Sequence, residues 1–195
     1  IKAVAAATAR CIVVLVAGSA VLTADWRDEV PAILVAWYPG MEGGNGLAAV
    51  LFGDENPCGK LPVVFPESNG QLPFFDKKAS SVEYGYYHGY RLFDKEGEEP
   101  AFPFGYGLHY TEYQYSNLRV SAREMGADGS ITVKADISNR GDMAGCEIVQ
   151  LYVGYPASGI DRPLKELKGF DCVRVEPGET RTVSFELAAR DLAYY

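Results

Sequence analysis

Two short apolar runs without polar interruption most constrain how this chain can fold. Residues 11–16 read CIVVLV, and residues 31–38 read PAILVAWY. Runs of this length, rich in β-branched residues and without alternation, are typical of strands buried on both faces of a parallel sheet. A helix-compatible segment at residues 2–9, a short helix at residues 47–52 and a third strand at residues 61–65 complete the pattern. The first part of the chain is therefore predicted to be α/β, with a mostly parallel sheet and helices.

The pattern changes to short alternating strands after about residue 110. Apolar and polar residues alternate at residues 131–137 and 182–187, and turn signals stand at residues 139–141 and 176–178. Further strands are predicted at residues 115–120, 148–153 and 164–175. This pattern is typical of a β-sandwich. The aromatic-rich stretch between the two parts, residues 71–113, is interpreted as irregular chain wrapped over a core.

Charge and cysteine usage limit the partners that we expect. The chain has 26 acidic and 18 basic residues, for a net charge of −8, so an anionic nucleic acid is not expected to bind. The basic residues form no patch for anionic lipid, and no apolar run is long enough to span a bilayer, so no membrane partner is expected. Four cysteines without a C-x-x-C pair, and only two histidines, do not predict a metal site. Whether the cysteines are thiols or disulfides stays open.

A glycine-rich segment follows the second apolar run. Gly44, Gly46 and Ala49 fit the G-x-G-x-x-G/A pattern of dinucleotide-binding loops, and Glu67 lies about 20 residues further on. The helix that follows is too short for a crossover and is broken near Pro57. We therefore interpret the segment as a turn in which backbone approaches backbone, predict no cofactor, and keep a nucleotide-binding domain as an alternative.

Carboxylates near the predicted strand ends give no assignable catalytic pair. Cleavage of a glycosidic bond needs two carboxyl groups in different environments, about 5 Å or more apart. No spacing in the sequence fixes such a pair among Glu42, Asp54, Glu55, Glu67 and Asp76. No serine has the setting of an activated nucleophile either.

Long collinear stretches resemble glycoside hydrolase family 3, the family of many β-glucosidases. They are residues 32–66 (AILVAWYPGMEGGNGLAAVLFGDENPCGKLPVVFP), residues 84–94 (YGYYHGYRLFD) and residues 102–111 (FPFGYGLHYT). Residues 149–153 and 162–170 resemble the fibronectin type III-like module of the same family. The sequence departs from the family pattern at Met41, Gly46 and Cys58, where Gln, Ala and Ser are common.

The resemblance implies a fold and a role for each part. Residues 1–110 would be the C-terminal part of an α/β sandwich domain, and residues 111–195 a truncated fibronectin type III-like sandwich. In this family the nucleophilic Asp comes from a barrel, and the acid/base Glu lies upstream of the segments matched here. The resemblance therefore implies no catalytic residue on this chain and no metal or cofactor. We expect further sequence before Ile1 and beyond Tyr195.

The implied function is that of a non-catalytic part of a retaining β-glycosidase that hydrolyses terminal β-linked sugars. This part would shape the substrate entrance and brace the barrel. Its partners would be a β-linked glucoside or related oligosaccharide and a catalytic barrel domain, in the same gene or on a separate chain. A freestanding carbohydrate-binding or scaffold module is the alternative, and the cellular compartment is left open.

Three residues are candidates for the sugar side of this part. In open α/β sheets, ligands lie at the loops that follow the carboxyl ends of parallel strands. Tyr38, Glu42 and Asn45 follow such a predicted strand. We expect them near a sugar, with packing of this loop on the barrel as the alternative.

Overall fold

The computed structural model describes residues 1–156 and 158–194, which form two compact units. The first unit comprises Ile1–Leu51, Lys60–Tyr106 and Ser158–Leu164. The second comprises Phe52–Gly59, Gly107–Ala157 and Lys165–Tyr195, of which Ala157 and Tyr195 lie outside the described residues. The two units therefore alternate along the chain instead of following one another.

The first unit is built around a parallel pair of strands. Its helices and strands are α1 (Lys2–Ala7), β1 (Ile12–Leu15), β2 (Ala32–Val35), α2 (Gly43–Phe52) and α3 (Tyr90–Glu96). β1 and β2 pair in parallel, from Ile12 opposite Ala32 to Leu15 opposite Val35. The parallel α/β arrangement predicted for this part is thus present. The strands are less buried than predicted, because each begins with an exposed residue followed by three half-buried ones.

The third strand predicted at residues 61–65 is wrong. Phe65 forms a single antiparallel bridge with Phe102, with backbone N–H groups donating in both directions at 2.9 and 3.1 Å. Leu61 exchanges two further backbone bonds with residues 105 and 106, each 2.8 Å long. Pro62 has no N–H to donate to a ladder, so the apolar run joins a neighbouring antiparallel segment at isolated points.

Helix α2 begins inside the predicted glycine-rich loop and not after it. It spans Gly43–Phe52, whereas the sequence predicted residues 47–52. A Cβ atom on Gly43 would lie 2.6 Å from ring carbons of Pro39, while Gly44 and Gly46 face open space. A close approach therefore occurs at Gly43, to the side-chain ring of Pro39, and the predicted approach of backbone to backbone is not seen at the two glycines of the fingerprint.

The aromatic-rich stretch contains a helix that the sequence did not predict. α3 lies between Gly89 and Gly97, which have φ angles of 55° and 67°. Phe93 on this helix is buried, and the Lys95 ammonium lies 3.6 Å from the ring centroid of Tyr87. Aromatic and cationic side chains therefore hold this stretch together, and its two ends are set by glycine.

The second unit consists of two antiparallel sheets. Its strands are β3 (Tyr113–Val120), β4 (Ser130–Asn139), β5 (Gly145–Gly154), β6 (Lys165–Val175) and β7 (Thr180–Ala188). The sheet orders are β3-β4-β7 and β5-β6. All five strands were predicted to within a few residues. Residues of both sheets meet in one core: Ile137, Val149, Val175 and Val183.

Candidate functional site

The carboxyl ends of β1 and β2 bring Gly18 and Tyr38 together. A Cβ atom on Gly18 would lie 2.5 Å from the hydroxyl oxygen of Tyr38, so a larger residue at this position would displace the ring from where it lies. The side chain of Tyr38 is nevertheless 79% exposed. The contact thus positions an aromatic ring at the strand ends while leaving most of it open to solvent.

Trp37 makes the turn that sends Tyr38 outward. Its φ angle is 51°, a conformation that a bulky residue rarely adopts. Its ring lies edge-on to Phe65, with the ring centroids 6.2 Å apart, and is half-buried. The sequence placed Trp37 and Tyr38 at the end of a buried strand. The structure instead ends β2 at Val35 and uses Trp37 as a strained turn residue.

Glu42 and Asn45 form a hydrogen-bonded pair at the start of α2. The Asn45 amide Nδ2 donates to Oε2 of Glu42 over 2.7 Å, and the Glu42 carbonyl accepts the N–H of Gly46 over 2.9 Å. A carboxylate at this position interacts favourably with the helix dipole. Asn45 orients one carboxylate oxygen and leaves the other free to accept from a bound hydroxyl.

Two of the three predicted site residues, Glu42 and Asn45, contact each other in the structure. Tyr38, the third, lies five residues before the first residue of α2 and against Gly18. Gly18 and the positive φ of Trp37 were missed. The Ala-Gly-Ser that closes the first apolar run was a signal for a close approach, but nothing in the sequence showed which ring would fill it.

The other candidate carboxylates have structural roles where their contacts are described. Glu67 forms an ion pair with Arg27, and the backbone N–H of Glu67 donates to Gln71 Oε1 over 2.7 Å. Asp76 accepts the backbone N–H of Lys78 over 2.9 Å. Glu67 is the acidic residue that the nucleotide-binding alternative requires, and in this structure its carboxylate is paired with Arg27.

A histidine and a carboxylate lie close together inside the second unit. His109 Nε2 lies 2.8 Å from Oε2 of Glu147, and Tyr115 donates its hydroxyl to Oε1 over 2.8 Å. Burial and Glu147 raise the pKa of Tyr115, and they raise the pKa of Tyr113 to about 12. Both phenols therefore stay protonated. Because Glu147 is buried, this close approach of His109 and Glu147 fastens the segment before β3 to β5.

Neither a metal cluster nor a membrane-crossing helix is found in the described part of the chain. Across residues 1–156 and 158–194, no three His, Cys, Asp or Glu side chains are grouped so that they could hold a metal ion. The helices in these residues are too short or too polar to cross a bilayer.

The chain matches two family models. Residues 1–110 match the Glycosyl hydrolase family 3 C-terminal domain, and residues 147–195 match the Fibronectin type III-like domain. The chain therefore belongs to glycosyl hydrolase family 3, as its resemblance predicted.

Relatives with known names agree with this assignment. The chain is 44% identical to thermostable beta-glucosidase B of Acetivibrio thermocellus, over 100% of this chain and 26% of that protein. It is 43% identical to a beta-glucosidase of Rhizobium radiobacter, over 100% of this chain and 25% of that protein. The chain thus spans about a quarter of the length of these relatives.

Solved structures of the family share the fold. A beta-D-glucoside glucohydrolase from Trichoderma reesei superposes with a TM-score of 0.90 at 34% identity, covering 99% of this chain and 30% of that one. Beta-glucosidase 3B from Thermotoga neapolitana, solved in complex with glucose, gives 0.86 at 41% identity, covering 94% and 26%.

Proposed function

We propose that the chain is the non-catalytic C-terminal part of a retaining β-glycosidase that hydrolyses terminal β-linked sugars. The relatives are beta-glucosidases, and the chain corresponds to about a quarter of their length. The candidate loop carries one carboxylate, Glu42, paired with an amide and not with a second carboxyl group. Both carboxylates that such a reaction needs would then lie outside this chain.

The two parts of the chain would complete two domains of that enzyme. Residues 1–110 would form the end of an α/β sandwich, which the parallel pairing of β1 with β2 and the match to the family model support. Residues 111–195 would form part of a fibronectin type III-like sandwich, supported by two antiparallel sheets with a common core. The boundary at residues 110 and 111 stays a prediction. So does the role of bracing a catalytic barrel.

The loop after β2 would contribute to the substrate entrance. The observation that carries this proposal is the exposed Tyr38 ring together with the Asn45–Glu42 pair, at the carboxyl end of parallel strands. Ligands of open α/β sheets lie at this edge. An aromatic face suits the apolar side of a sugar ring, and a fixed carboxylate accepts hydrogen bonds from its hydroxyl groups.

The test is steady-state kinetics of the whole enzyme on an aryl β-glucoside with loop variants. We expect Glu42→Gln and Asn45→Ala to raise KM roughly 3- to 10-fold with little change in kcat, as for the loss of one hydrogen bond to bound substrate. Glu83→Gln is the matched control, because Glu83 is an exposed carboxylate of the same unit outside this loop. Values of KM that match this control for both loop variants would mean that the loop serves packing alone.

The aromatic ring is tested separately. Tyr38→Phe keeps the ring over Gly18 and removes only the hydroxyl, whereas Tyr38→Ala removes the whole ring. If the ring packs on the sugar, the Phe variant should keep a near-normal KM and the Ala variant should lose affinity. Phe74→Ala removes an aromatic ring that is 88% exposed elsewhere in the first unit and serves as the control.

A further inference from the structure

Two cysteines lie diagonally across the β5–β6 sheet. Cys146 on β5 is opposite Arg174, and Cys172 on β6 is opposite Ile148. Residues 146 and 148, like residues 172 and 174, point to the same side of their strands, because side chains alternate along a strand. Both thiols therefore lie on one face of the sheet.

That face is the outer one. The core residues of these strands, Val149 and Val175, stand at odd-numbered positions and point inward. Cys146 is half-buried and Cys172 is exposed. Both thiols are thus on the side of the sheet that small oxidants can reach in this chain.

The surroundings of the two thiols affect how easily Cys172 ionises. Partial burial, a hydrogen bond with Cys146 and the nearby Cys58 raise the pKa of Cys172 to about 11. Cys58 is carried on the segment 52–59 of the same unit, where Asn56 donates to the Ala144 carbonyl over 3.3 Å. Cys58, Cys146 and Cys172 thus all belong to the second unit. The fourth, Cys11, is buried in the first unit.

We propose that Cys146 and Cys172 are a redox-active pair that oxidises reversibly to a cross-strand disulfide. With oxidised glutathione as the oxidant, one protein thiolate attacks its disulfide, forms a mixed disulfide and releases one glutathione thiol. The second protein thiolate then attacks the protein sulfur of the mixed disulfide. The Cys146–Cys172 bond forms and a second glutathione leaves, so two electrons and two protons pass from the protein thiols to two glutathione molecules.

The position of the pair makes the bond easy to reverse. Diagonal neighbours on antiparallel strands have Cα atoms about 7–8 Å apart, whereas disulfides favour about 4.4–6.8 Å. The β5–β6 ribbon has to tighten for the bond to form, and strained disulfides are reduced readily. Because the pKa of Cys172 is high, oxidation should become faster from neutral to alkaline pH.

The test is thiol counting and peptide mapping on the folded 195-residue polypeptide after treatment with excess oxidised glutathione. We expect two of the four thiols to be lost, one cross-linked peptide pair joining Cys146 to Cys172, and full recovery with dithiothreitol. Cys146→Ser and Cys172→Ser should each abolish that cross-link. Cys11→Ser is the matched control and should retain it.

Three outcomes would overturn the proposal. One is that all four thiols survive both oxidised glutathione and diamide. Another is a cross-link that joins Cys58 to either partner in place of the Cys146–Cys172 pair. The third is a glutathione adduct that persists on Cys172 without closing to Cys146. Because the cross-link is mapped on the unaltered protein, the result does not depend on whether any variant folds.

Discussion

At the scale of the residue, Trp37 concentrates backbone strain beside the candidate loop. A bulky residue held at a φ of 51° costs of order 1–3 kcal/mol, and such strain persists only where the surroundings fix it. Here the edge-on contact of the Trp37 ring with Phe65 fixes the residue. Strain of this kind gathers at ligand sites, which agrees with the role proposed for the loop.

Two substitutions of Trp37 measure the effect of backbone strain and the effect of ring packing separately. If Trp37 were a fully buried core residue, Trp37→Ala would lower the free energy of unfolding by about 3–5 kcal/mol. Since the ring is only half-buried, we expect Trp37→Ala to cost about 2 kcal/mol. Trp37→Gly should be about 1 kcal/mol more stable than Trp37→Ala, because glycine accepts the positive φ. Chemical denaturation of both variants measures this order, and a Gly variant less stable than the Ala variant would contradict it.

Asp136 gives a prediction for acidic pH. Hydrogen bonds from Thr182 at 2.6 Å and Asn117 at 2.9 Å, with Arg119 beside them, hold the pKa of this carboxyl below its ordinary value of about 3.9. Above that value the carboxylate is ionised in both the folded and the unfolded chain, and its interactions in the folded chain contribute fully to stability. As the pH falls further, the unfolded chain takes up the proton first, so the contribution is lost through the folded pKa.

The variant Asp136→Asn should therefore be less stable than the parent at neutral pH, and the difference should shrink below about pH 4. Urea unfolding at a series of pH values measures the difference. Asp128→Asn, at an exposed position before β4, is the control. A stability difference for Asp136→Asn that stays constant down to low pH would contradict the assignment.

At the scale of the element, the strands of the second unit could be predicted and several features of the first unit could not. Residues 131–137 and 182–187 alternate because one face of each strand meets a core, and the structure pairs them as β4 and β7. Residues 61–65 have no such signature, since an apolar run looks the same in a parallel strand and in an isolated bridge. α3 was hidden because its ends are set by glycines and its surroundings by aromatic contacts distant in sequence.

Candidate site residues were harder to predict than strands, because some of their contacts join residues that are distant in sequence. The pairing of Glu42 with Asn45 follows from helix spacing and could be read locally, once the helix is known to begin at Gly43. The contact between Tyr38 and Gly18 joins residues that follow two strands 20 residues apart in sequence. No local sequence pattern predicts such a contact.

Asn139 ties together the connections between strands in the second unit. Its side chain is fully buried, and its amide donates to the carbonyls of Met143 and Val175 over 2.8 and 3.0 Å. Its Oδ1 accepts from the Thr111 hydroxyl and the Gly141 N–H over 2.6 and 3.1 Å. One side chain thus serves the ends of β4 and β6 and the starts of β3 and β5.

Removing Asn139 should therefore be costly. Asn139→Ala leaves buried carbonyl and N–H groups without this partner, and we expect a loss of about 2–4 kcal/mol in the free energy of unfolding. Gln114→Ala, which removes an exposed amide on β3 that bonds to Arg140, should cost less than about 0.5 kcal/mol. Thermal denaturation followed by circular dichroism compares them, and equal losses would contradict the role given to Asn139.

At the scale of the whole molecule, the proposal that catalysis depends on residues outside this chain is directly testable. We expect the purified 195-residue polypeptide to hydrolyse no aryl β-glucoside above the buffer rate, because it supplies no assigned pair of carboxyl groups. The same assay on the whole enzyme is the positive control. If the polypeptide alone turns over the substrate and one Glu or Asp replacement abolishes this activity, the proposal that the catalytic residues lie outside this chain is wrong.

The alternation of the two units along the chain limits how this region can be exchanged between relatives. Asn56, far from β5 in sequence, belongs to the second unit, where its amide accepts the Tyr110 N–H over 2.9 Å and donates to the Ala144 carbonyl. A Cβ atom on Gly145 would lie 2.5 Å from this same amide. A chimaera joined at residue 110 would pair one parent's Asn56 segment with the other parent's β5. Recombination here should succeed only between parents whose segments 52–59 and 144–146 already match.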